Sequence, residues 1–168
     1  MGRLQLDDRD LNILAILQKE GRITKAALAE RVNLSPTPCW ERLKRLEAAG
    51  IIEGYSARIA LKAFGPMAVM FMEAELDSHK ARDFDRFERA VREIDAITEC
   101  WAVGGGIDYL LKVVTRDVDA YQRLVDRMLG ADIGLKRYYT YVVTKRVKET
   151  AGPPIGLVSG EAADDRPA

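Results

Sequence analysis

Two clusters of residues in this sequence have types and spacings suited to chemistry, and a third group tests for catalysis. The densest cluster is Ser35-Pro36-Thr37-Pro38-Cys39-Trp40-Glu41-Arg42-Leu43-Lys44-Arg45-Leu46. Read as a helix, it buries Cys39, Leu43 and Leu46 on one side and turns Thr37, Glu41, Lys44 and Arg45 the other way. Arg42, Lys44 and Arg45 are cations suited to phosphate oxygens, and Ser35 can offer a hydroxyl or a backbone N–H to a phosphate. Thr37 and Glu41 lie near the N-terminal end, where an inserted helix meets base edges. Pro38 falls in the first turn, where its missing N–H costs nothing. Trp40 either packs against the segment that follows or reaches a thymine methyl. Ser35, Thr37, Pro38, Trp40, Glu41, Arg42, Lys44 and Arg45 are therefore the candidate DNA contacts. A capped surface helix with a solvated charged face has the same pattern.

The second cluster is Val103-Gly104-Gly105-Gly106-Ile107-Asp108-Tyr109. Three glycines between two apolar runs permit a tight turn. They also leave bare backbone N–H groups that can receive a carboxylate, with Asp108 placed for an amine. Both readings fit the residues. The dinucleotide pattern G-x-G-x-x-G is not satisfied, because Tyr109 stands at the sixth position. Thr140, in a later β-rich run, either hydrogen-bonds a small ligand or is an ordinary strand threonine. Gly104, Gly105, Gly106, Asp108, Tyr109 and Thr140 form the candidate effector set.

The third group is weak. His79 stands alone in a polar Asp-Ser-His-Lys stretch, and Cys100 has no nearby histidine. There is no G-x-S-x-G, P-loop or H-E-x-x-H, so no catalytic residue, metal or cofactor is expected. Cys39 and Cys100 are too few for a disulfide framework or a four-ligand zinc site. The 168 residues carry 26 Lys+Arg against 26 Asp+Glu, which excludes a surface that is basic all over. The positive charge is local: residues 31–62 hold six Lys/Arg and three Asp/Glu. That stretch leans toward an anionic partner. No uninterrupted apolar run reaches the roughly 18 residues of a membrane-spanning helix. The charged N-terminus lacks the apolar core of a signal peptide.

These groups need elements to hold them. Asp7 is an N-cap ahead of Leu11, Leu14 and Leu17, and Gly21 closes that helix. Thr24 caps a second helix through Val32. Ser35-Pro36 starts a third, which Ala48-Ala49-Gly50 ends. Ile51–Ile59, broken at Gly54, reads as a small hairpin or wing. Gly65-Pro66 marks a boundary. Beyond it, Met67–Leu76, Ile97–Val103, Tyr109–Thr115 and Arg137–Val147 read as strands. Helices fall at Phe84–Ile94 and Val118–Met128. In the second of these strands, Ile97, Glu99, Trp101 and Val103 share one face. The order β-α-β-β-α-β is ferredoxin-like. Two helices cover one sheet face, and Met70, Met72 and several aromatics leave the other needing cover, most economically from a second subunit. The expected organisation is a winged helix-turn-helix domain at 1–60, a linker at 61–66, a ferredoxin-like domain at 67–150 and a flexible tail at 151–168. The fold class is α+β.

Residues 34–55, from Leu34-Ser35-Pro36 through Gly50-Ile51-Ile52-Glu53-Gly54-Tyr55, closely resemble the recognition helix and wing of the leucine-responsive regulatory protein/asparagine regulator (Lrp/AsnC) family. Leu6-Asp7 to Gly21-Arg22-Ile23 resembles that family's first helix and turn. Val103–Leu111 looks like its small-molecule loop, and Thr140–Val143 with Val147-Lys148 looks like its last strand. The resemblance spans about residues 4–150. It implies a cytoplasmic, nucleoid-associated transcriptional regulator that binds double-stranded DNA and an amino-acid-like effector. It also implies dimers paired through their sheets and assembled into tetramers or octamers, with effector sites at dimer–dimer contacts. Gly105 and Asp108 match the family's glycine and aspartate, whereas Gly104, Gly106 and Ile107 depart from its commoner residues. The Trp40 helix and the triple glycine look like a subgroup associated with ectoine and diaminobutyrate catabolism. An architectural DNA-wrapping protein with no effector would use the same helix and oligomer.

Overall fold

The computed structural model describes residues 4–150 and 152–158. The chain divides into two compact units: residues up to Arg58 together with those from Lys148 onward, and Ile59–Val147.

The first unit is built from three capped helices. Helix α1, Asp8–Lys19, opens with a reciprocal capping box. The Asp10 N–H donates to the Asp7 carboxylate at 2.9 Å, and the Asp7 N–H donates to the Asp10 carboxylate at 3.2 Å. Each bond satisfies an amide that the helix leaves without a partner. Helix α2, Lys25–Arg31, is capped by Thr24, whose hydroxyl accepts from the Ala27 N–H at 3.2 Å. Replacing Thr24 by Ala should cost about 1 kcal/mol, read as an earlier urea midpoint for this unit. Asn33 takes a left-handed backbone, φ 52°, to make the turn into α3, Pro36–Ala48. Gly50, at φ +69°, ends it in a conformation that costs glycine little. The three helices close on Ile13, Leu14, Leu28, Val32, Cys39, Leu43 and Leu46, with Ile51 and Ile52 packed against them.

The hairpin expected at Ile51–Ile59 is not formed: the segment carries no strand pairing, and the apolar side chains at its start serve the helical core instead. The stretch expected as a flexible tail is in part docked. Gln18 donates its amide to the Pro153 carbonyl at 2.9 Å, and Ile155, opening a short helix α6 (Ile155–Val158), packs on the N-terminal core. Residues 159–168 lie outside the described residues.

The second unit begins with a 3₁₀ turn at Leu61–Phe64, within the stretch expected as a linker. There follow β1 (Ala68–Leu76), α4 (Ala81–Arg92), β2 (Ile97–Ala102), β3 (Tyr109–Thr115), α5 (Val118–Gly130) and β4 (Leu135–Val142). The strands form one sheet in the order β2-β3-β1-β4, with every neighbouring pair antiparallel. That is the ferredoxin-like arrangement. Strict alternation drives it: along β1 and β3 every second side chain is buried. Met70, Met72, Ala74, Leu111 and Val113 meet Phe87 and Val91 of α4 and Tyr121, Leu124, Val125 and Met128 of α5.

Two expectations about faces change. Met70 and Met72 are completely buried under the helices and so give no reason for a cover on the other side. Aromatic side chains do lie on the other face. The register places Phe71 and Trp101 there with Tyr139 and Tyr141, which are 48% and 53% exposed. In β2 the register shifts between Ile97 and Glu99, which turns Ile97 to the helix side opposite Val113 while Glu99 and Trp101 stay on the open face. A bulge of this kind inserts one residue and reverses the side-chain order beyond it. Strand β4 ends at Val142, short of the expected Val147.

Candidate nucleic-acid interface and effector loop

Ser35, Thr37, Pro38, Glu41, Lys44 and Arg45 are all exposed on α3 or at its start. Ser35 stands at the N-cap but makes no side-chain capping bond, so its hydroxyl stays available. Arg42 and Arg45 are engaged. Asp10 is fully buried, and its two carboxylate oxygens lie 2.8 Å from Arg42 Nη1 and 2.6 Å from Arg45 Nη2. Arg42 also reaches Asp7 at 2.7 Å. A buried carboxylate must be paired and hydrogen-bonded to be tolerated. Arg42 is thereby corrected from a phosphate contact to a framework residue that fastens α3 to the start of α1. Arg45 shares the same carboxylate, but its side chain is 45% exposed and reaches the surface.

Trp40 packs within the helical unit. Its half-buried indole rests on the helical core and carries the Lys25 ammonium 3.2 Å from the ring centroid, with Lys44 Nζ at 5.2 Å.

In the second unit, Val103–Asp108 joins β2 to β3. The backbone closes on itself, with Val103 N–H donating to the Asp108 carbonyl at 2.9 Å and Asp108 N–H donating to the Ala74 carbonyl at 3.0 Å. Gly105 takes φ +143°, which an L side chain rarely adopts. A Cβ added at any of Gly104, Gly105 or Gly106 would meet nothing within 4 Å, so the loop borders open space. Asp108 is 16% exposed. One oxygen accepts from the Leu76 N–H at 2.8 Å, and His79 Nε2 lies 3.2 and 3.3 Å from the two oxygens. The imidazole stacks on Phe84, with ring centroids 6.0 Å apart.

Comparison with known proteins decides what these two units are. Residues 6–53 match the winged helix-turn-helix DNA-binding domain, and residues 69–153 match the Lrp/AsnC ligand binding domain. The chain belongs to the Lrp/AsnC family. It is 51% identical over 145 residues to the transcriptional regulatory protein DoeX of Halomonas elongata, covering 86% of this chain and 92% of that one. It is 41% identical to the leucine-responsive regulatory protein of Escherichia coli K12, covering 86% and 88%. The structure of a Neisseria meningitidis transcriptional regulator in complex with L-Met superposes with a TM-score of 0.86 at 33% identity, covering 92% of this chain and 99% of that one. An AsnC-family regulator from Agrobacterium tumefaciens gives 0.85 at 31%, covering 90% and 99%. Like these relatives, the Lrp/AsnC protein described here is a transcriptional regulator rather than an enzyme.

Not all the candidate effector residues of this Lrp/AsnC regulator come together. Gly104, Gly105, Gly106 and Asp108 share one loop. Tyr109 is corrected: its ring is buried under α4, its hydroxyl donates to Glu88 at 3.0 Å, and burial pushes its pKa up. Thr140 lies on β4, two strands from β3 and therefore roughly 10 Å across the sheet, with its hydroxyl paired to Tyr121. That is the strand role. Among the described residues, one hollow of about 480 Å³ lies between α4 and α5 and another of about 240 Å³ lies beside Cys100. Neither is lined by Gly104–Asp108. The chain thus presents the loop without enclosing it. Sequence reasoning missed the contacts of His79 with Asp108, of Asp10 with Arg42 and Arg45, and of Lys25 with Trp40. Each joins an isolated residue to a partner on a different element, so no local spacing marks it.

Proposed function

We propose that this regulator controls genes of amino-acid or related metabolism, and that a small amino-acid-like effector of the diaminobutyrate type sets its DNA affinity. The observation that carries this reading is the loop. The N–H groups of Gly104, Gly105 and Gly106 have no protein acceptor among the described residues, and they lie beside an aspartate whose ionisable partner there is a single histidine. Backbone donors receive the effector's carboxylate, and Asp108 receives its ammonium. The resemblance to the diaminobutyrate-associated subgroup supports an effector of that class, and the 51% identity to the transcriptional regulatory protein DoeX supports the regulatory role.

The protein acts as a homodimer joined through the open sheet faces. A second dimer completes each effector site, because a single chain leaves the loop uncovered. Two recognition helices per dimer then meet half-sites one helical turn, roughly 34 Å, or a multiple apart. An effector that binds one assembly better than another shifts DNA affinity by the difference, typically about 1–3 kcal/mol. The regulator works in the cytoplasm, on the nucleoid.

The test is a DNA-binding titration on the protein's own upstream region, with and without a panel of amino acids and diaminobutyrate-type compounds. A metabolite-dependent shift supports the reading. Binding with no shift across the panel favours an effector-independent architectural role. Asp108→Asn is the informative variant, because it keeps an oxygen for the Leu76 N–H while removing the charge. It should raise the effector concentration needed for half-maximal response at least tenfold and leave basal DNA binding unchanged. An unaltered response in that variant moves the amine site elsewhere.

A further inference from the structure

The cations around the recognition helix fall into two kinds. Arg42 and Arg45 are paired with Asp7 and Asp10. Lys25 and Lys44 have no carboxylate partner among the described residues, and both sit by the indole of Trp40. Lys25 belongs to α2 and Lys44 to α3, so one ring gathers ammonium groups from two helices. The face of an indole attracts a cation, at an exposed site by about 0.5–1 kcal/mol. It cannot neutralise one. Two like charges held near a single ring remain short of an anion.

We propose that Trp40 is a platform for a two-lysine phosphate clamp, and that Lys25 is a DNA-contacting residue in addition to those on α3. The ligand is a phosphodiester of the DNA backbone, and Trp40 reads no base. This inference rests on the reading that the surface around α3 meets DNA. It goes beyond that reading in assigning the contact to a residue of α2 and in giving the tryptophan a positioning role. The ring restricts a long, flexible side chain before DNA arrives, so less of its freedom is lost on binding. A lysine that contacts phosphate contributes equally to every sequence and carries a salt dependence. A base reader does neither.

The test uses the full chain and two duplexes: the protein's own upstream region and a scrambled duplex of equal length. Dissociation constants are measured from 50 to 200 mM salt for the wild type, Lys25→Gln, Trp40→Phe and Trp40→Leu. Lys25→Gln should weaken both duplexes by the same factor. It should also lower the salt slope by about 0.9 for each phosphate no longer neutralised, which is a roughly three- to fourfold smaller loss of affinity across that salt range. Trp40→Phe keeps an aromatic face and should stay near the wild type, whereas Trp40→Leu, which leaves both ammonium charges in place, should weaken both duplexes by a common factor without lowering the salt slope. Combining Trp40→Leu with Lys25→Gln should add little, because one removes the platform and the other its occupant.

Wild-type slopes in Lys25→Gln on both duplexes overturn the clamp. So does a Trp40→Leu variant that weakens only the upstream duplex, since that would make the indole a base reader. Lys25 is exposed, so its variant stays informative even where the Trp40 variants fold poorly. Failure of the wild type to bind either duplex overturns the DNA-facing reading itself, and with it the clamp; binding by the wild type with no effect of Lys25→Gln overturns the clamp alone.

Discussion

Replacing Arg42 by Ala is expected to unfold the N-terminal unit well before the wild type does. The change leaves Asp10, which is fully buried, with a charge formerly shared between two guanidinium groups. Removing one partner of a buried ion pair typically costs about 3–5 kcal/mol, because the desolvated charge remains while its compensation goes. Arg45 still pairs with one oxygen, so the lower end applies, about 3 kcal/mol. For a unit of this size that is a fall in melting temperature of roughly 10–20 °C. Arg42→Ala should also lose DNA binding at temperatures where the unit has melted, whereas Lys44→Ala, at an exposed lysine with no carboxylate partner among the described residues, should lose affinity while remaining folded. A second substitution makes the cause visible. Asp10→Asn combined with Arg42→Ala should be less destabilised than Arg42→Ala alone, since the stranded charge is gone. Calorimetry on the three proteins checks this, and a drop of less than about 1 kcal/mol for Arg42→Ala would show that Asp10 is adequately held without it.

The same network has an acid limit. The Asp7 carboxyl lies below its ordinary value of 3.8, first because the Asp10 N–H donates to it and then because Arg42 pairs with it, against an opposing effect of partial burial. A carboxyl whose folded value is depressed stabilises the fold fully above its ordinary value. That stabilisation is lost as pH falls through the folded value. The contribution of Asp7 is therefore intact at neutral pH and disappears below about pH 4.

The second large effect concerns assembly. Placing Glu at both 139 and 141, as Tyr139→Glu with Tyr141→Glu, puts two carboxylates on the open sheet face. If that face joins two copies, the charges must be desolvated together across the interface, and the dimer should fall apart. Analytical ultracentrifugation should then give a species of the chain mass, 18.8 kDa, where the wild type gives a multiple of it. DNA affinity should fall by about 10²–10⁴, because two recognition helices joined in one dimer bind as a linked pair and a lone one does not. Tyr139 and Tyr141 are exposed strand residues, and such positions tolerate charge without unfolding the chain, so circular dichroism should be unchanged. A variant that sediments as the wild type does would place the interface elsewhere. A monomeric variant with undiminished DNA affinity would show that the two helices do not act as a pair.

Much of this protein is written in short-range patterns. Asp7 and Thr24 start two helices through capping bonds, and Pro36 opens the third at a position that needs no N–H. Alternation along β1 and β3 and the 3–4 spacing of Phe87, Val91, Tyr121 and Val125 divide each element into a buried and an open side. These features depend on neighbours within one turn or one pleat, so they are visible in the residues directly. The exposed candidates Thr37, Glu41 and Lys44 are legible for the same reason: they lie opposite a hydrophobic stripe.

The folded chain settles whatever depends on pairs far apart in sequence. Arg42 looks like a phosphate contact until α3 closes on Asp10, thirty-two residues earlier, where a buried carboxylate claims it. Tyr109 follows directly on the glycine loop, yet the pleat turns its ring into the core, because the residue after Asp108 faces the helices. A one-residue bulge in β2 reverses Ile97, and nothing in its composition announces that. Lys25 meets Trp40, and His79 meets Asp108, only because two elements dock in a particular register. Local periodicity selects a face for each side chain, but which charge or ring waits across that face is set by how the elements close on one another.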